Sequence, residues 1–245
     1  MASSAEQPPL SEAARIITTF TAPTKTFNDI RRSARWFGPW LVMAICSVIL
    51  VGVAAQKVGF TQLYINRLHM SQKQTDRIES APADQRARAI DIGTTITKVF
   101  SWGYPVVLLI FSIITAAIML ATLNFGFGKE VTFNQSLAVV MYASLPGILK
   151  ALLGAISLYA GASPEGFVLD NPVASNLGAV IDPLGHPALH VLGVFIDLFA
   201  IWSLVLAGIG FACVAKLKQS TSMTLVFGWY VILMLLNTGI AAVFA

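Results

Sequence analysis

Lys150 and Asp197 are ionisable side chains set deep in apolar runs, where insertion into a bilayer costs roughly 2.5 to 3.5 kcal/mol for each. Lys150 precedes the outer end of its run by ten residues and Asp197 follows the outer start of the next run by eight, so at about 1.5 Å rise per residue their depths differ by only about 3 Å. Consecutive membrane helices are usually neighbours, and the two side chains are placed to form a buried intramembrane ion pair. Such a pair can fix helix register, or it can serve as a proton or ion relay. If the two do not meet, Lys150 snorkels outward and Asp197 is protonated or hydrated.

Other candidate chemistry is thin. Asp182, His186 and His190 are spaced four apart, as metal ligands on one helix face would be, but Pro183, Gly185 and Pro187 spoil that helix and no metal is expected. The chain holds no HExxH, GxSxG or GxxxxGK[ST] pattern, so zinc protease, serine hydrolase and P-loop readings lack their minimum parts. Cys46 and Cys213 lie inside apolar runs and form no CxxC motif. Gly126 with Gly128, and Gly208 with Gly210, sit within or beside apolar runs, where packing or turns explain them better than phosphate cradling. No catalytic residue and no cofactor site is expected, and the chain reads as a non-enzyme.

The elements that must position Lys150 and Asp197 follow from composition. Of 245 residues, 56% are hydrophobic and only 11% charged, too few charges for a soluble globular surface. Five stretches reach the roughly 20 apolar residues that a bilayer core requires: about 37–55, 103–125, 137–160, 189–215 and 224–244. Continuous apolarity without dyad alternation selects helices over barrel strands. The fold class is therefore all-α, a polytopic membrane protein with a five-helix transmembrane bundle (37–245), preceded by a cytoplasmic arm (1–36). That arm is too long and too mixed in charge for a signal-peptide n-region, so the first apolar run is expected to remain as an anchor.

Charge sets the expected orientation. With the N-terminus in the cytoplasm, Arg31, Arg32, Arg35, Lys129, Lys216 and Lys218 flank the inner face, while the loop 161–188 has no Lys or Arg and lies outside, as does the end at Ala245. The outer segment 56–102 disagrees, carrying Lys57, Arg67, Lys73, Arg77, Arg86, Arg88 and Lys98 against four acids. It reads as a helical loop, with Phe60, Leu63, Tyr64 and Leu68 at near-helical spacing and a break at Ser80 to Pro82, and is expected to be a solvated hairpin, with binding of anionic lipid or a partner by its charge run as the alternative. The net charge of +4 is spread over several segments, which argues against a nucleic-acid partner.

In the arm, Pro23 precedes a stretch that places Phe27, Ile30 and Ala34 on one helical face, so an amphipathic interfacial helix is expected, anchored by Arg31, Arg32, Arg35, Trp36 and Trp40. In the third span Ala143, Gly147, Ala151 and Ala155 repeat every four residues, a helix-packing seam within the chain or between two copies. Pro146 in the same span frees the carbonyl of Tyr142 and marks a kink.

The order of these features resembles the Yip family of membrane proteins, named for interaction with Ypt/Rab GTPases, in the divergent form found in bacteria. The resemblance rests on RIITTFTAPTKTFNDI from Arg15 to Ile30 with Trp36 and Pro39 after it, FNQSLAVVMYASLPGIL from Phe133 to Leu149, IDLFAIWSLVLAGIGF from Ile196 to Phe211, and a last span beginning near Gly228 and Trp229. It covers nearly the whole chain apart from the loop 56–98. The resemblance implies five spans with the N-terminus cytoplasmic and the C-terminus outside, a bacterial inner membrane, and no enzymatic activity. Eukaryotic relatives are associated with Rab binding, membrane traffic and membrane shaping; the short arm and a bacterial source leave the architecture, with a scaffold or organiser role, as what carries over. The partners expected are the lipid bilayer, with the protein itself or other membrane proteins as further candidates. The alternative is a small transporter or channel that uses Lys150, Asp197 and the Pro146 kink as a gated polar path.

Overall fold

The computed structural model describes residues 9–244, so the opening of the expected arm and the terminal Ala245 lie outside the described residues. Among the described residues twelve α-helices follow one another: α1 (Glu12–Thr21), α2 (Pro23–Arg32), α3 (Phe37–Lys57), α4 (Phe60–Leu68), α5 (Gln72–Glu79), α6 (Ala83–Trp102), α7 (Tyr104–Ala121), α8 (Phe133–Ala143), α9 (Pro146–Tyr159), α10 (Pro187–Phe195), α11 (Leu198–Ala215) and α12 (Gln219–Phe244). Among the same residues five stretches are long and apolar enough to cross a membrane: Phe37–Lys57, Tyr104–Gly126, Phe133–Tyr159, Leu198–Ala215 and Gln219–Val243. The chain is an all-helical, multi-pass membrane protein. Its outward surface is correspondingly apolar, as at Ile110, Phe111, Ile232 and Leu236, because lipid solvates it.

Two compact units are formed. The first gathers the described residues up to Leu41 with Leu109–Leu145 and Ser203–Val226. Here Ser11 caps α1 by accepting from the Ala14 N–H at 3.2 Å, and Pro23 opens α2 at the position where its missing N–H costs nothing. The apolar face of α2 is met by protein: Phe27 and Ile30 are fully buried. Gly210 of α11 lets this happen, since a Cβ there would stand 2.6 Å from Val139 Cγ1 and 2.9 Å from Phe27 Cδ1. At the start of α8, Thr132 and Gln135 form a reciprocal capping box, and the spare amide N–H of Gln135 donates to the Arg31 carbonyl at 2.9 Å. One set of side chains thus starts α8 and holds the end of α2.

The second unit comprises Val42–Leu108, Pro146–Trp202 and the chain from Phe227. The loop 56–102 is helical with a break near Ser80, as its sequence indicates, but α4 is docked and not solvated. Leu63 joins a buried cluster with Leu50, Ala54, Ala155, Leu158 and Phe167. The buried Asn66 amide donates to the Pro164 and Phe167 carbonyls, both at 2.8 Å, and Arg67 pairs with Asp170. The charge run hid this docking, because Leu63 and Asn66 face inward while the basic side chains around them stay exposed.

Two apolar stretches depart from the expected continuous helices. The third, expected over 137–160, is interrupted by a turn at Ser144–Leu145, where Pro146 offers no N–H and the Leu145 N–H takes the Tyr142 carbonyl at 3.3 Å instead. The turn resets the helical phase, so the expected seam does not share one packed face: Ala143 and Ala155 are buried, Ala151 is half-buried, and Gly147 is exposed with no atom within 4 Å of where its Cβ would sit. The close approach is at Gly154, where a Cβ would lie 2.5 Å from Pro172. The fourth stretch, expected over 189–215, is two helices, α10 and α11, divided at Ile196 and Asp197, and only α11 is long enough to span, so Asp197 stands at the start of the span and not deep within it as expected. These contacts make opposite predictions for two glycines in thermal unfolding in mild detergent. Gly210→Val is expected to cost about 1 to 3 kcal/mol by overpacking, whereas Gly147→Ala is expected to be neutral or stabilising by up to about 1 kcal/mol.

Candidate functional site

The division between α10 and α11 frees backbone groups that a continuous helix would have paired, and the Phe195 and Ile196 carbonyls and the Leu198 N–H find partners elsewhere in the protein. The Phe195 carbonyl accepts from the Tyr230 hydroxyl at 2.7 Å. The Ile196 carbonyl accepts from the Leu177 N–H at 3.3 Å, and the Leu198 N–H donates to the Ser175 carbonyl at 3.0 Å, so the chain at Asn176 pairs antiparallel with Asp197. Asp197 itself is the cap of α11, its Oδ1 accepting from the Ala200 N–H at 2.9 Å. Its other oxygen, Oδ2, accepts from Lys150 Nζ at 2.9 Å and from the Ser175 hydroxyl. The Asp197 side chain is 5% exposed and that of Lys150 20%.

The segment that supplies Ser175 is held by close backbone contact. A short 3-10 turn, Leu177–Val180, lies on α10, and a Cβ on Gly193 would stand 2.7 Å from the Gly178 nitrogen. Neither glycine tolerates a side chain without moving backbone. Asn176 starts the turn by accepting from the Ala179 N–H at 3.2 Å while its own amide donates to Asn171 at 2.7 Å. The loop after α9 is thereby fastened to the one place where the fourth apolar stretch is open.

A second polar cluster lies in the first unit. Arg15 is fully buried and Asp29 nearly so; Arg15 Nε donates to Asp29 Oδ2 at 2.7 Å, and Nη2 lies 2.6 Å from the same oxygen. Asp29 also accepts from the Leu10 N–H at 3.2 Å and, through Oδ1, from Arg32 at 3.0 Å. Glu12 lies 3.6 Å from the Arg15 guanidinium and accepts from the Tyr142 hydroxyl of α8 at 2.7 Å. Burial of Arg15 and Asp29 makes their pairing strong, and with Glu12 and Tyr142 it binds α1, α2 and α8 in a single network.

Of the residues singled out by sequence, Lys150 and Asp197 are brought together, and Pro146 stands at the turn that divides α8 from α9. Arg31 and Arg35 are exposed, Arg32 is tied to Asp29, and Phe37 stacks between Trp36 and Trp40 with ring centroids 6.2 and 5.3 Å away. Asp182 caps its own turn through the Leu184 and Gly185 N–H groups, and the His190 ring meets the Ile181 carbonyl at 3.0 Å. Among the described residues no group of three His, Cys, Asp or Glu is placed to hold a metal. Sequence reasoning passed over Ser175, Tyr230, Arg15 and Asp29. A signal existed for the helix division, since Asp197 stands immediately ahead of an apolar run as a capping residue would.

The network predicts an order of severity for the arm. Asp29→Asn leaves Arg15 buried without its main counter-charge and is expected to cost about 3 to 5 kcal/mol; Tyr142→Phe removes one hydrogen bond to a carboxylate and is expected to cost about 1.5 to 3 kcal/mol. Limited trypsin digestion reads this directly: cleavage after the exposed Lys25 should accelerate strongly in Asp29→Asn and less in Tyr142→Phe.

Comparison with known proteins agrees with this architecture. The chain matches the Yip1 domain over residues 17–241. Among curated proteins and among solved structures, no match is found. The match takes in α2, Lys150 and Asp197, the first four apolar stretches and nearly all of the fifth, while Glu12 and Arg15 of the arm precede it; on that extent the chain belongs to the Yip1 domain family.

Proposed function

We propose that this protein is a non-enzymatic membrane scaffold or organiser, acting through packing with itself or with other membrane proteins. The observation that carries the reading is the closure of the break between α10 and α11. A transporter that uses a broken helix leaves freed carbonyls and N–H groups facing a substrate or ion path. Here Asp197 has both oxygens engaged, one by the α11 backbone and the other by Lys150 and Ser175, while Tyr230 and Leu177 take the carbonyls of Phe195 and Ile196. Ser175 donates to a carboxylate already shared with an ammonium group, which leaves that carboxylate a poor general base for nucleophilic chemistry.

In this reading the N-terminal arm is cytoplasmic, with Arg31, Arg32 and Arg35 at the inner face and the end of α12 outside, in a bacterial inner membrane. The arm then presents a fixed cytoplasmic surface, because the Arg15 and Asp29 network ties it to α8.

The test is a mutant cycle in mild detergent, scored by thermal unfolding, with transport of protons and monovalent cations assayed in liposomes. Asp197→Asn keeps an acceptor for the Ala200 N–H and removes the charge. Lys150→Met and Asp197→Asn are each expected to destabilise by about 3 kcal/mol through the unpaired partner, and the double variant is expected to regain most of that loss. Additive losses, or ion flux in the native protein that either single variant abolishes, would overturn the scaffold reading in favour of a polar path.

A further inference from the structure

α6 has an unpartnered apolar stripe that neither polar cluster uses. Ile92, Ile96, Val99 and Phe100 recur at the spacing of one helical face, and each exposes more than half of its surface. A neighbouring face, about 100° round the helix from Ile92, is covered: Gly93 is buried, and its Cα lies so close to the Tyr64 ring of α4 that a Cβ would fall 2.2 Å from Tyr64 Cζ. α4 therefore orients α6 and turns the stripe away from the protein. The stripe runs directly into a spanning helix, since α6 ends at Trp102 and α7 begins at Tyr104. Trp102 and Tyr104 are themselves partly exposed, the residue types that settle at headgroup depth.

We propose that this face of α6 is a lipid-binding surface, lying in the headgroup and acyl boundary of the leaflet in which α7 begins. Lipid is the occupant because the stripe is continuous, through Gly103, with the exposed apolar side chains of α7 such as Val106 and Ile110, which a bilayer solvates in a spanning helix. The exposed Arg88 borders the stripe one turn before Ile92, where a guanidinium reaches lipid phosphates while its stem covers apolar surface. In water the same four side chains would form a contiguous apolar patch with no solvent suited to it. The charged segment between the first two spans is then a surface anchor, with α4 fixed to the protein and α6 to the membrane.

Nitroxide scanning tests the assignment on the full chain in phosphatidylcholine and phosphatidylglycerol liposomes, in a Cys46→Ala and Cys213→Ala background. Labels at Ile96→Cys and Val99→Cys sample the stripe; labels at Asp91→Cys and Thr95→Cys sample the polar face. Collision with oxygen is expected to be several-fold higher at 96 and 99 than at 91 and 95, with the reverse order for a water-soluble nickel chelate. Equal nickel accessibility at all four positions would place α6 in water and overturn the proposal. Shielding of 96 and 99 from both reagents would overturn it in favour of a protein cover.

Discussion

A helix that breaks within an apolar stretch releases backbone N–H and C=O groups where lipid offers nothing to bond them, and each unsatisfied group costs several kcal/mol. The chain meets this constraint at the start of the fourth span, where α10 and α11 divide, by folding the loop after α9 onto the break. Ser175 and Leu177 supply main-chain partners, Tyr230 supplies a hydroxyl, and Asp197 caps the helix that follows. Lys150 then enters as a counter-charge to a carboxylate that capping has already put in place. The pair is thus a consequence of the break, and the loop 161–188 is structured for the same reason.

The first unit solves a related problem with charge. A short arm of two helices has too little apolar surface to hold itself on a membrane domain, so Phe27 and Ile30 supply burial while Arg15, Asp29, Glu12 and Tyr142 supply direction. Buried ion pairs add little net stability compared with apolar packing, yet they penalise any other arrangement severely. That asymmetry suits the scaffold role proposed above. It also explains why Gly210 must remain small, because the arm can reach its partners only if α2 lies close to α8 and α11.

The five apolar stretches were legible because length and hydropathy are enough to identify a span, and Lys150 and Asp197 stood out because a charge in such a run is costly. Pro146 marked the interruption beside Ser144, but the division at Ile196 was not read, because hydropathy does not register a turn within a run of apolar residues. The repeat of four at Ala143, Gly147, Ala151 and Ala155 assumes an unbroken helix, which the turn at Ser144 interrupts, and Gly147 beyond it is exposed. Arg15 and Asp29 were hidden by their type, because charged residues in an arm look solvated until a second helix is known to cover them. Ser175 and Tyr230 act across long sequence distances, which spacing alone does not connect.

The central claim is that the opening in the fourth apolar stretch is closed by the protein itself. Amide hydrogen exchange at Leu177 and Leu198, measured on the protein in lipid nanodiscs, tests it most directly, because both N–H groups bridge the loop to the break. Closure predicts that these two amides exchange as slowly as those in the middle of α11. Exchange at the rate of an exposed loop would mean that water reaches the break, which contradicts closure and reopens Lys150 and Asp197 as part of a path.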